Sequence, residues 1–273
     1  MSLRQAFFLP ADEGFRFALY TPSSSECARG SLLYIHPFGE ELNKTRHVVA
    51  AQIRSLAAAG FDVLQIDLFG CGDSSGEFSE ASWDVWLDDI ERAIAWLQAS
   101  SEAPLWLWGL RVGSLLAAEI GRRLTKPCHL LFWQPLLDGN LAMRQVLRQA
   151  AAAEMLTSDG KGKGSITGLK DLLKAGHPIE IGGYTISPGL ADGLVQASLK
   201  PPLLAGRLVW LDVSNSEFSQ ISPSTAACLA EWEKAGFTVI HQRVSGPAFW
   251  QSAELEAVPE LMVETIGALE SVS

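Results

Sequence analysis

The feature that most constrains the fold is a regular alternation of short apolar runs with longer amphipathic stretches. The apolar runs are four to seven residues long and predict buried strands. They are Ser31–His36, Phe61–Asp67, Leu105–Trp108, His129–Trp133, Arg207–Val213 and Phe237–Arg243. Stretches with helical spacing separate them, at Thr45–Ala59, Trp83–Leu97, Ser114–Leu124, Ser224–Ala235 and Ala253–Leu269. This alternation predicts an α/β fold whose mostly parallel sheet has about eight strands and carries helices on both faces.

Two segments depart from the alternation. Near the start, Gln5–Leu9 and Phe15–Tyr20 flank a turn-forming Ala-Asp-Glu-Gly run and predict an antiparallel hairpin. Later, residues 134–205 contain a helix, a polar glycine-rich loop, a strand-like run and a second helix, at Leu141–Leu156, Ser158–Gly164, Ile179–Ile186 and Pro188–Leu199. We therefore predict a core domain of residues 1–133 and 206–273. Residues 134–205 are expected to be an inserted cap over the carboxyl ends of the strands, where open α/β sheets bind ligands.

Composition argues against several classes of protein. The 21 Lys and Arg residues are outnumbered by 31 Asp and Glu residues, and the net charge of −10 is unsuited to nucleic acid. No apolar run approaches the roughly 20 residues that span a bilayer, and the first residues do not resemble a secretory signal. Cys27, Cys71, Cys128 and Cys228 are scattered, so neither a zinc site nor a disulfide framework is indicated. We expect a cytoplasmic protein without cofactor or metal, for which a homo-oligomer is possible.

One strand-to-helix turn carries the clearest chemical motif. The strand at Leu105–Trp108 runs into Gly109-Leu110-Arg111-Val112-Gly113 and leaves as a helix. Two glycines four residues apart allow the tight turn of the Gly-x-Ser-x-Gly nucleophile elbow in α/β-hydrolases, whose central residue projects above the sheet. The earlier strands end in His36-Pro37-Phe38-Gly39, like an oxyanion loop, and in Asp67-Leu68-Phe69-Gly70-Cys71-Gly72-Asp73-Ser74.

With these motifs the chain resembles the α/β-hydrolase superfamily over nearly its whole length. Its stretch HPFGEELNKTR, its loop DLFGCGDSSGEF and its elbow GLRVG together resemble the exosortase A system-associated hydrolase 2 family of bacteria. This resemblance implies an α/β-hydrolase fold and hydrolase activity. It also implies the setting of an envelope system for protein sorting and exopolysaccharide.

The catalytic residues depart from the superfamily pattern. A triad needs a nucleophile, a histidine base and an acid that orients it. Arg111 occupies the nucleophile position, and a guanidinium cannot attack a carbonyl. Phe249 occupies the position of the base, and the nearest histidine, His241, lies within the last strand. Only the acid position offers suitable residues, with Glu217 first and Asp212 second. A conventional serine hydrolase is therefore excluded if the elbow is aligned correctly.

The other pocket candidates come from the loops beside the elbow, and they are His36, Phe38, Gly39, Leu110 and Val112. We expect the N–H groups of Phe38 and Val112 to occupy the oxyanion-hole positions, with His36 bracing its loop. Cys71 is expected to be a small buried thiol. Asp67 and Asp73 are expected to cap backbone N–H groups in the second loop.

Arg111 is expected either to pair with a carboxylate or to hold an anionic group of a ligand. The carboxylates considered are Glu217, followed by Asp73 and Asp212. Three functions stay open on the sequence. The first is a non-catalytic binder of a small anionic or acyl ligand under the cap. The second is an enzyme acting on an ester or thioester. The enzyme would use a rearranged site built from His36, Cys71, Asp73 or Glu217. The third function is an assembly factor of the envelope system.

Overall fold

The computed structural model of the protein describes residues 4–157, 166–215, 220–252 and 254–271. Its strands are β1 (Gln5–Pro10), β2 (Phe15–Thr21), β3 (Gly30–Ile35), β4 (Phe61–Ile66), β5 (Leu105–Leu110), β6 (His129–Trp133), β7 (Ile179–Ile181), β8 (Tyr184–Ile186), β9 (Arg207–Val213) and β10 (Thr238–Val244). Eight of them form one sheet in the order β1-β2-β4-β3-β5-β6-β9-β10. The pairs β1–β2 and β2–β4 are antiparallel, and the other pairs are parallel. The predicted mostly parallel sheet, with the early hairpin at one edge, is confirmed.

Helices cover both faces of this sheet. They are α1 (Glu40–Ala58), α2 (Trp83–Ser100), α3 (Val112–Arg123), α4 (Gly139–Thr157), α5 (Ile166–Lys174), α6 (Pro188–Gln196), α7 (Pro223–Lys234) and α8 (Pro259–Glu270). Most apolar side chains of α1 share one buried cluster with those of α8, whereas those of α2, α3 and α7 share the other. Successive residues of the central strands enter opposite clusters, so Leu107 packs with α3 and Trp108 with α1. All residues of β3 and β5 are buried, as expected for strands covered on both faces.

Residues 134–205, which we call the cap segment, connect β6 to β9. Its described elements are α4, α5, α6 and the small hairpin of β7 and β8, and none of them joins the main sheet. Two backbone bonds tie its beginning to its end, from Gly139 N–H to the Ala197 carbonyl and from Leu199 N–H to the Leu137 carbonyl, each 2.9 Å. The cap segment therefore leaves the sheet and returns to it through neighbouring stretches of chain.

Three elements differ most from the sequence prediction. The first long helix begins at Glu40 instead of Thr45, because Gly39 turns the chain and acidic residues suit the positive end of a helix. The last helix begins at Pro259 instead of Ala253, since proline is tolerated in the first helical turn but breaks a helix interior. The run Ile179–Ile186 forms two strands, because Gly182 and Gly183 adopt positive φ and close a tight hairpin.

Candidate active site

The turn between β5 and α3 has the geometry of a nucleophile elbow. Arg111 lies at its tip with φ 56° and ψ −119°, a backbone conformation that residues other than glycine rarely adopt. A Cβ atom at Gly109 would lie 2.5 Å from the Ser114 backbone, and one at Gly113 would lie 2.2 Å from the Ile35 carbonyl oxygen. Both glycines are therefore required by close backbone approach, and Arg111 is the residue that the turn presents above the sheet.

Hydrogen bonds hold the elbow in place. The Arg111 N–H donates to the Trp133 carbonyl at 3.0 Å, which ties the turn to β6. The Ser114 hydroxyl donates to the Gly109 carbonyl at 2.9 Å, and the Ser114 N–H donates to the Arg111 carbonyl at 3.1 Å. Ser114 therefore closes the turn, and it is fully buried there.

The Arg111 guanidinium is buried and pairs with Glu41, the second residue of α1. Its Nε donates to both carboxylate oxygens at 3.3 and 3.4 Å, and its Nη2 lies 3.2 Å from Oε1. Nη2 also donates to Oε1 of Gln145 in α4, at 2.8 Å. Burial raises the pKa of the Glu41 carboxyl above its ordinary value, although the charge of Arg111 opposes this shift.

This pairing corrects two of the three predicted carboxylates, Asp73 and Asp212, and does not bear on Glu217. Glu217 lies outside the described residues, Asp212 pairs elsewhere, and Asp73 forms no described ion pair with Arg111. The acid is Glu41 because α1 begins immediately after the loop that follows β3. A signal for it was present in the sequence, since two glutamates follow Gly39 and acidic residues favour the first turn of a helix.

A cavity of about 450 Å³ opens beside Arg111 and between the core and the cap segment. The core contributes residues that follow β3, β5 and β10, and the cap segment contributes Leu136 and side chains of α4 and the β7–β8 hairpin. The lining residues are Phe38, Gly39, Glu40, Glu41, Lys44, Arg111, Val112, Leu136, Ala142, Gln145, Val146, Ile181, Gly182, Tyr184, Ile186, Trp250 and Gln251. Its volume lies within the range of about 300 to 1,000 Å³ that is usual for small-molecule sites.

Phe38, Gly39 and Val112, which were predicted from the sequence as pocket residues, line this cavity. The backbone N–H groups of Phe38 and Val112 donate to no acceptor among the described residues. Leu110 and His36, the other two predicted residues, are buried and are not among the lining residues.

His36 braces two loops behind the cavity. Its Nδ1 lies 2.6 Å from the Pro37 carbonyl oxygen, and its Nε2 lies 3.1 Å from the Leu68 backbone nitrogen. These partners require a neutral ring with the proton on Nδ1, because the Leu68 N–H needs an acceptor. Burial lowers the pKa of His36, which also favours the neutral ring.

The loop after β4 is closed by Asp67. Its Oδ2 accepts the Asp73 N–H at 3.1 Å, and its Oδ1 lies 3.4 Å from Nη2 of Arg46. Asp67 therefore caps a backbone N–H as expected, whereas Asp73 supplies the donor in this pair. Cys71 is buried in the same loop, and burial together with the charge of Asp67 raises the pKa of its thiol to about 12. A thiol with this pKa is protonated at neutral pH and is a poor nucleophile.

Aromatic side chains lie near the place where a catalytic histidine is expected. Phe249 is fully buried, and its ring contacts those of Trp133 and Trp250 with centroids 6.2 and 5.2 Å apart. The residue that faces the elbow is Trp250, whose ring centre lies 5.3 Å from the Arg111 guanidinium carbon. The sequence singled out Phe249 by spacing alone and missed Trp250, which lies one residue further along.

The one histidine–acid pair among the described residues is formed by His241 and Asp212. The His241 Nε2 lies 2.9 Å from Oδ2 of Asp212, and the indole of Trp210 donates to Oδ1 at the same distance. Neither His241 nor Asp212 lines the cavity beside Arg111. Across the described ranges, no group of three His, Cys, Asp or Glu residues is placed to hold a metal ion. Within the same ranges, no helix is long and apolar enough to cross a membrane.

Comparisons with known proteins support the fold. A family model described as serine aminopeptidase, S33, matches residues 26–158. Est1E from Butyrivibrio proteoclasticus, solved with ferulic acid, is similar with a TM-score of 0.66, 15% identity, and 98% of this chain and 99% of that chain covered. A thermostable carboxyl esterase from Bacillus coagulans, in complex with glycerol, has a TM-score of 0.65 and 14% identity, with 100% of this chain and 99% of that chain covered.

A soluble variant of monoglyceride lipase from Saccharomyces cerevisiae, in complex with a substrate analogue, is also similar. It has a TM-score of 0.64 and 10% identity, with 100% of this chain and 97% of that chain covered. No curated protein matches the chain in sequence. At these identities the likeness concerns the fold alone, so the chain has an α/β-hydrolase fold.

Proposed function

We propose that the protein binds a small, uncharged molecule with a carbonyl group and an apolar part in the cavity beside Arg111, without hydrolysing it. The observation that carries this proposal is the composition of the cavity wall. Its described lining contains no Ser, Thr, Cys, His or Asp residue, although it surrounds the tip of a nucleophile elbow. Acyl transfer by a triad needs a nucleophile and a histidine base within hydrogen-bonding distance, and the described lining contains no Ser, Thr or Cys nucleophile and no His base.

The charges of the lining argue for an uncharged ligand. Arg111 is paired with Glu41, and Nζ of Lys44 lies 3.0 Å from Oε2 of Glu40. The four charged residues of the described lining thus form two pairs of opposite sign. A ligand carboxylate would have to compete with Glu41 for the guanidinium, at the cost of leaving a second carboxylate without its partner. Of the anionic and acyl ligands that the sequence allowed, we therefore favour the acyl ligand.

The remaining surface of the cavity suits a carbonyl compound with an apolar part. The N–H groups of Phe38 and Val112 are available as donors for a carbonyl oxygen, in the positions where hydrolases stabilise an oxyanion. The apolar part would contact side chains contributed by both core and cap segment, namely Leu136, Ala142, Val146, Ile181, Ile186 and Trp250. In this proposal the cap segment acts as the roof of the binding site.

An ester or thioester hydrolase with a rearranged site is the second candidate. It is favoured by Glu41, whose carboxyl lines the cavity and has a pKa raised by burial. Carboxyl groups with raised pKa values in cavities are often general acids or bases. Two observations argue against this candidate. The Glu41 carboxylate is already hydrogen-bonded to the guanidinium of Arg111, and His36 and Cys71 do not line the cavity.

The biological setting is part of the proposal. On the resemblance of HPFGEELNKTR, DLFGCGDSSGEF and GLRVG to the exosortase-associated hydrolase 2 family, we place the protein in a bacterial envelope system. A binder without triad chemistry would there hold or present an acyl compound. An assembly factor with an unused cavity is the remaining possibility, and the binding experiment below separates the two.

The proposal is tested with methyl octanoate and sodium octanoate as probes. Methyl octanoate is expected to raise the melting temperature of the wild type, because a ligand at 100 times its Kd stabilises a folded protein by about 2.7 kcal/mol. It should be recovered uncleaved by mass spectrometry, and octanoate should stabilise the protein less. Val146→Arg, which fills the cavity wall, should abolish the methyl octanoate shift.

Three results would contradict the proposal. Release of octanoate by wild type that is lost in Glu41→Gln would establish the hydrolase. A stronger response to octanoate than to its methyl ester would show that the site selects an anion. No shift with either probe would leave the assembly factor as the better account.

A further inference from the structure

A second concave surface lies on the outer side of the cap segment, between α4, α5 and α6. This outer groove has a volume of about 250 Å³ and is lined by Asn140, Met143, Arg144, Lys170, Leu173, Lys174, Ala191, Asp192 and Val195. It shares no lining residue with the cavity beside Arg111. Helix α4 separates the two, since Gln145 and Val146 line the cavity whereas Met143 and Arg144 line the outer groove.

The outer groove combines an apolar floor with a basic rim. Met143, Leu173 and Ala191 are buried at its floor, and Val195 is 36% exposed beside them. Arg144 on α4 and Lys170 and Lys174 on α5 are exposed, and they outnumber Asp192 on α6, the one acid of the described lining. The two lysines are one helical turn apart, so their charges repel each other unless an anion lies between or near them.

These three cations have no anionic partner within the described part of the chain. Elsewhere in that part, seven cations form ion pairs, namely Arg16, Arg29, Lys44, Arg46, Arg92, Arg111 and Arg123. Others, such as Lys126, Lys234 and Arg243, form none with described residues, so what distinguishes the three groove cations is that they line one concave surface together. The cap segment contains seven Lys and Arg residues against six Asp and Glu residues, whereas the rest of the chain contains fourteen against twenty-five. The outer groove is therefore a basic surface on a strongly acidic protein.

We propose that the outer groove docks an acidic peptide segment of a partner protein, which places an apolar side chain on the floor and carboxylates against the basic rim. Charge complementarity carries the choice of an acidic occupant. A peptide fits better than an anionic bilayer, because the apolar floor is recessed and the chain as a whole carries −10. The volume suits one or two side chains of a peptide and falls below the range of ordinary small-molecule pockets.

The proposal is tested by fluorescence anisotropy with the full-length protein. The probe is a fluorescein-labelled, amidated octapeptide of alternating Glu and Leu, and the control peptide carries Gln at every Glu position. Wild type should bind the Glu peptide and not the Gln peptide, and binding should weaken as salt is raised. The triple variant Arg144→Glu, Lys170→Glu, Lys174→Glu should lose at least about tenfold in affinity, as three lost charge contacts require.

A matched triple variant, Lys126→Glu, Lys234→Glu, Arg243→Glu, makes the same change in net charge outside the outer groove. It should bind within about threefold of wild type if the groove is the site. A second groove variant controls for misfolding of the charge-reversed one. It carries the neutral changes Arg144→Gln, Lys170→Gln and Lys174→Gln, and its fold is checked by circular dichroism. It should also weaken binding.

The proposal is overturned if wild type does not bind the Glu peptide, if both peptides bind equally, or if the two reversed triple variants lose affinity equally. Two further results would replace the occupant. Binding to vesicles of phosphatidylcholine and phosphatidylserine, lost in the groove variant and without peptide binding, would identify a membrane surface. Self-association in sedimentation that the groove variant abolishes, again without peptide binding, would identify a second copy of the chain.

Discussion

At the scale of single residues, the turn between β5 and α3 holds Arg111 at its tip in a strained conformation. A non-glycine residue in such a conformation costs of order 1–3 kcal/mol, which the surrounding packing must supply. Arg111 remains there because its backbone N–H bonds to Trp133, and its guanidinium bonds to Gln145 and lies over the ring of Trp250. The carboxylate of Glu41 compensates the buried charge.

Restoring the nucleophile alone should not restore hydrolysis. Arg111→Ser places a hydroxyl at the elbow, but the ring facing this position belongs to Trp250, and no histidine is among the described cavity residues. We expect neither this variant nor wild type to hydrolyse p-nitrophenyl butyrate above the buffer rate. Turnover by Arg111→Ser would mean that a base from elsewhere in the chain reaches the elbow.

The Arg111–Glu41 pair should matter for stability. Glu41→Gln leaves a buried guanidinium without its counter-charge and should lower the free energy of unfolding by about 3 kcal/mol. The neighbouring Glu40→Gln is the control, because Glu40 pairs with Lys44 at the surface and such pairs contribute about 1 kcal/mol or less. Urea unfolding of both variants gives the comparison. Equal losses of unfolding free energy would show that the buried pair contributes no more to stability than the surface pair.

At the scale of elements, the site depends on how closely β5, α3 and β3 approach at the elbow. The Cβ atom of a residue at position 113 would lie 2.2 Å from the Ile35 carbonyl oxygen, so the backbone of β3 or α3 would have to move. The same approach places Arg111 beside the loop after β3 and the start of α1.

Two glycine substitutions separate this close approach from ordinary helix propensity. Gly113→Ala should destabilise the protein by about 3 kcal/mol, because overpacking a rigid backbone contact costs roughly this much. Gly267→Ala in α8 meets nothing within 4 Å and should stabilise the protein by about 0.5–1 kcal/mol. Thermal and urea unfolding measure both changes. A mild effect of Gly113→Ala would mean that the elbow is looser than these distances imply.

At the scale of the whole molecule, stability should depend on pH through buried groups. The pKa of His36 is lowered by burial, so the unfolded chain takes up this proton near its ordinary value of 6.5 while the native ring stays neutral. The stabilisation is therefore complete above pH 6.5 and is lost as pH falls below it, by at most about 1.4 kcal/mol per pH unit.

His36→Gln isolates this effect, because an amide can replace both hydrogen bonds without titrating. The difference in unfolding free energy between wild type and His36→Gln should be larger at pH 7.5 than at pH 5.5. The buried carboxyls of Glu41 and Asp89, whose pKa values are raised, change stability in the opposite direction but are present in both proteins. A difference that does not change with pH would show that His36 has the same pKa in the native and unfolded states, and a smaller difference at pH 7.5 would show that its native pKa is raised.

The sequence by itself determined the layers of the fold and the position of the elbow. Apolar runs of strand length, such as His129–Trp133, mark buried strands because few other structures tolerate so many adjacent apolar residues. The spacing of Gly109 and Gly113 marks the elbow because only glycine permits the contacts on either side of Arg111. The prediction that Arg111 takes the nucleophile position rests on that alignment.

Which groups meet at the site follows from how distant elements pack together. Glu41 and Gln145 reach Arg111 from α1 and α4, which lie 70 and 34 residues away in the chain. Trp250 faces the guanidinium instead of Phe249, because the path of the loop after β10 decides which of two neighbouring side chains turns inward. Sequence periodicity reports on one element at a time, whereas an ion pair between distant elements is selected by packing and by the cost of leaving a buried charge unpaired.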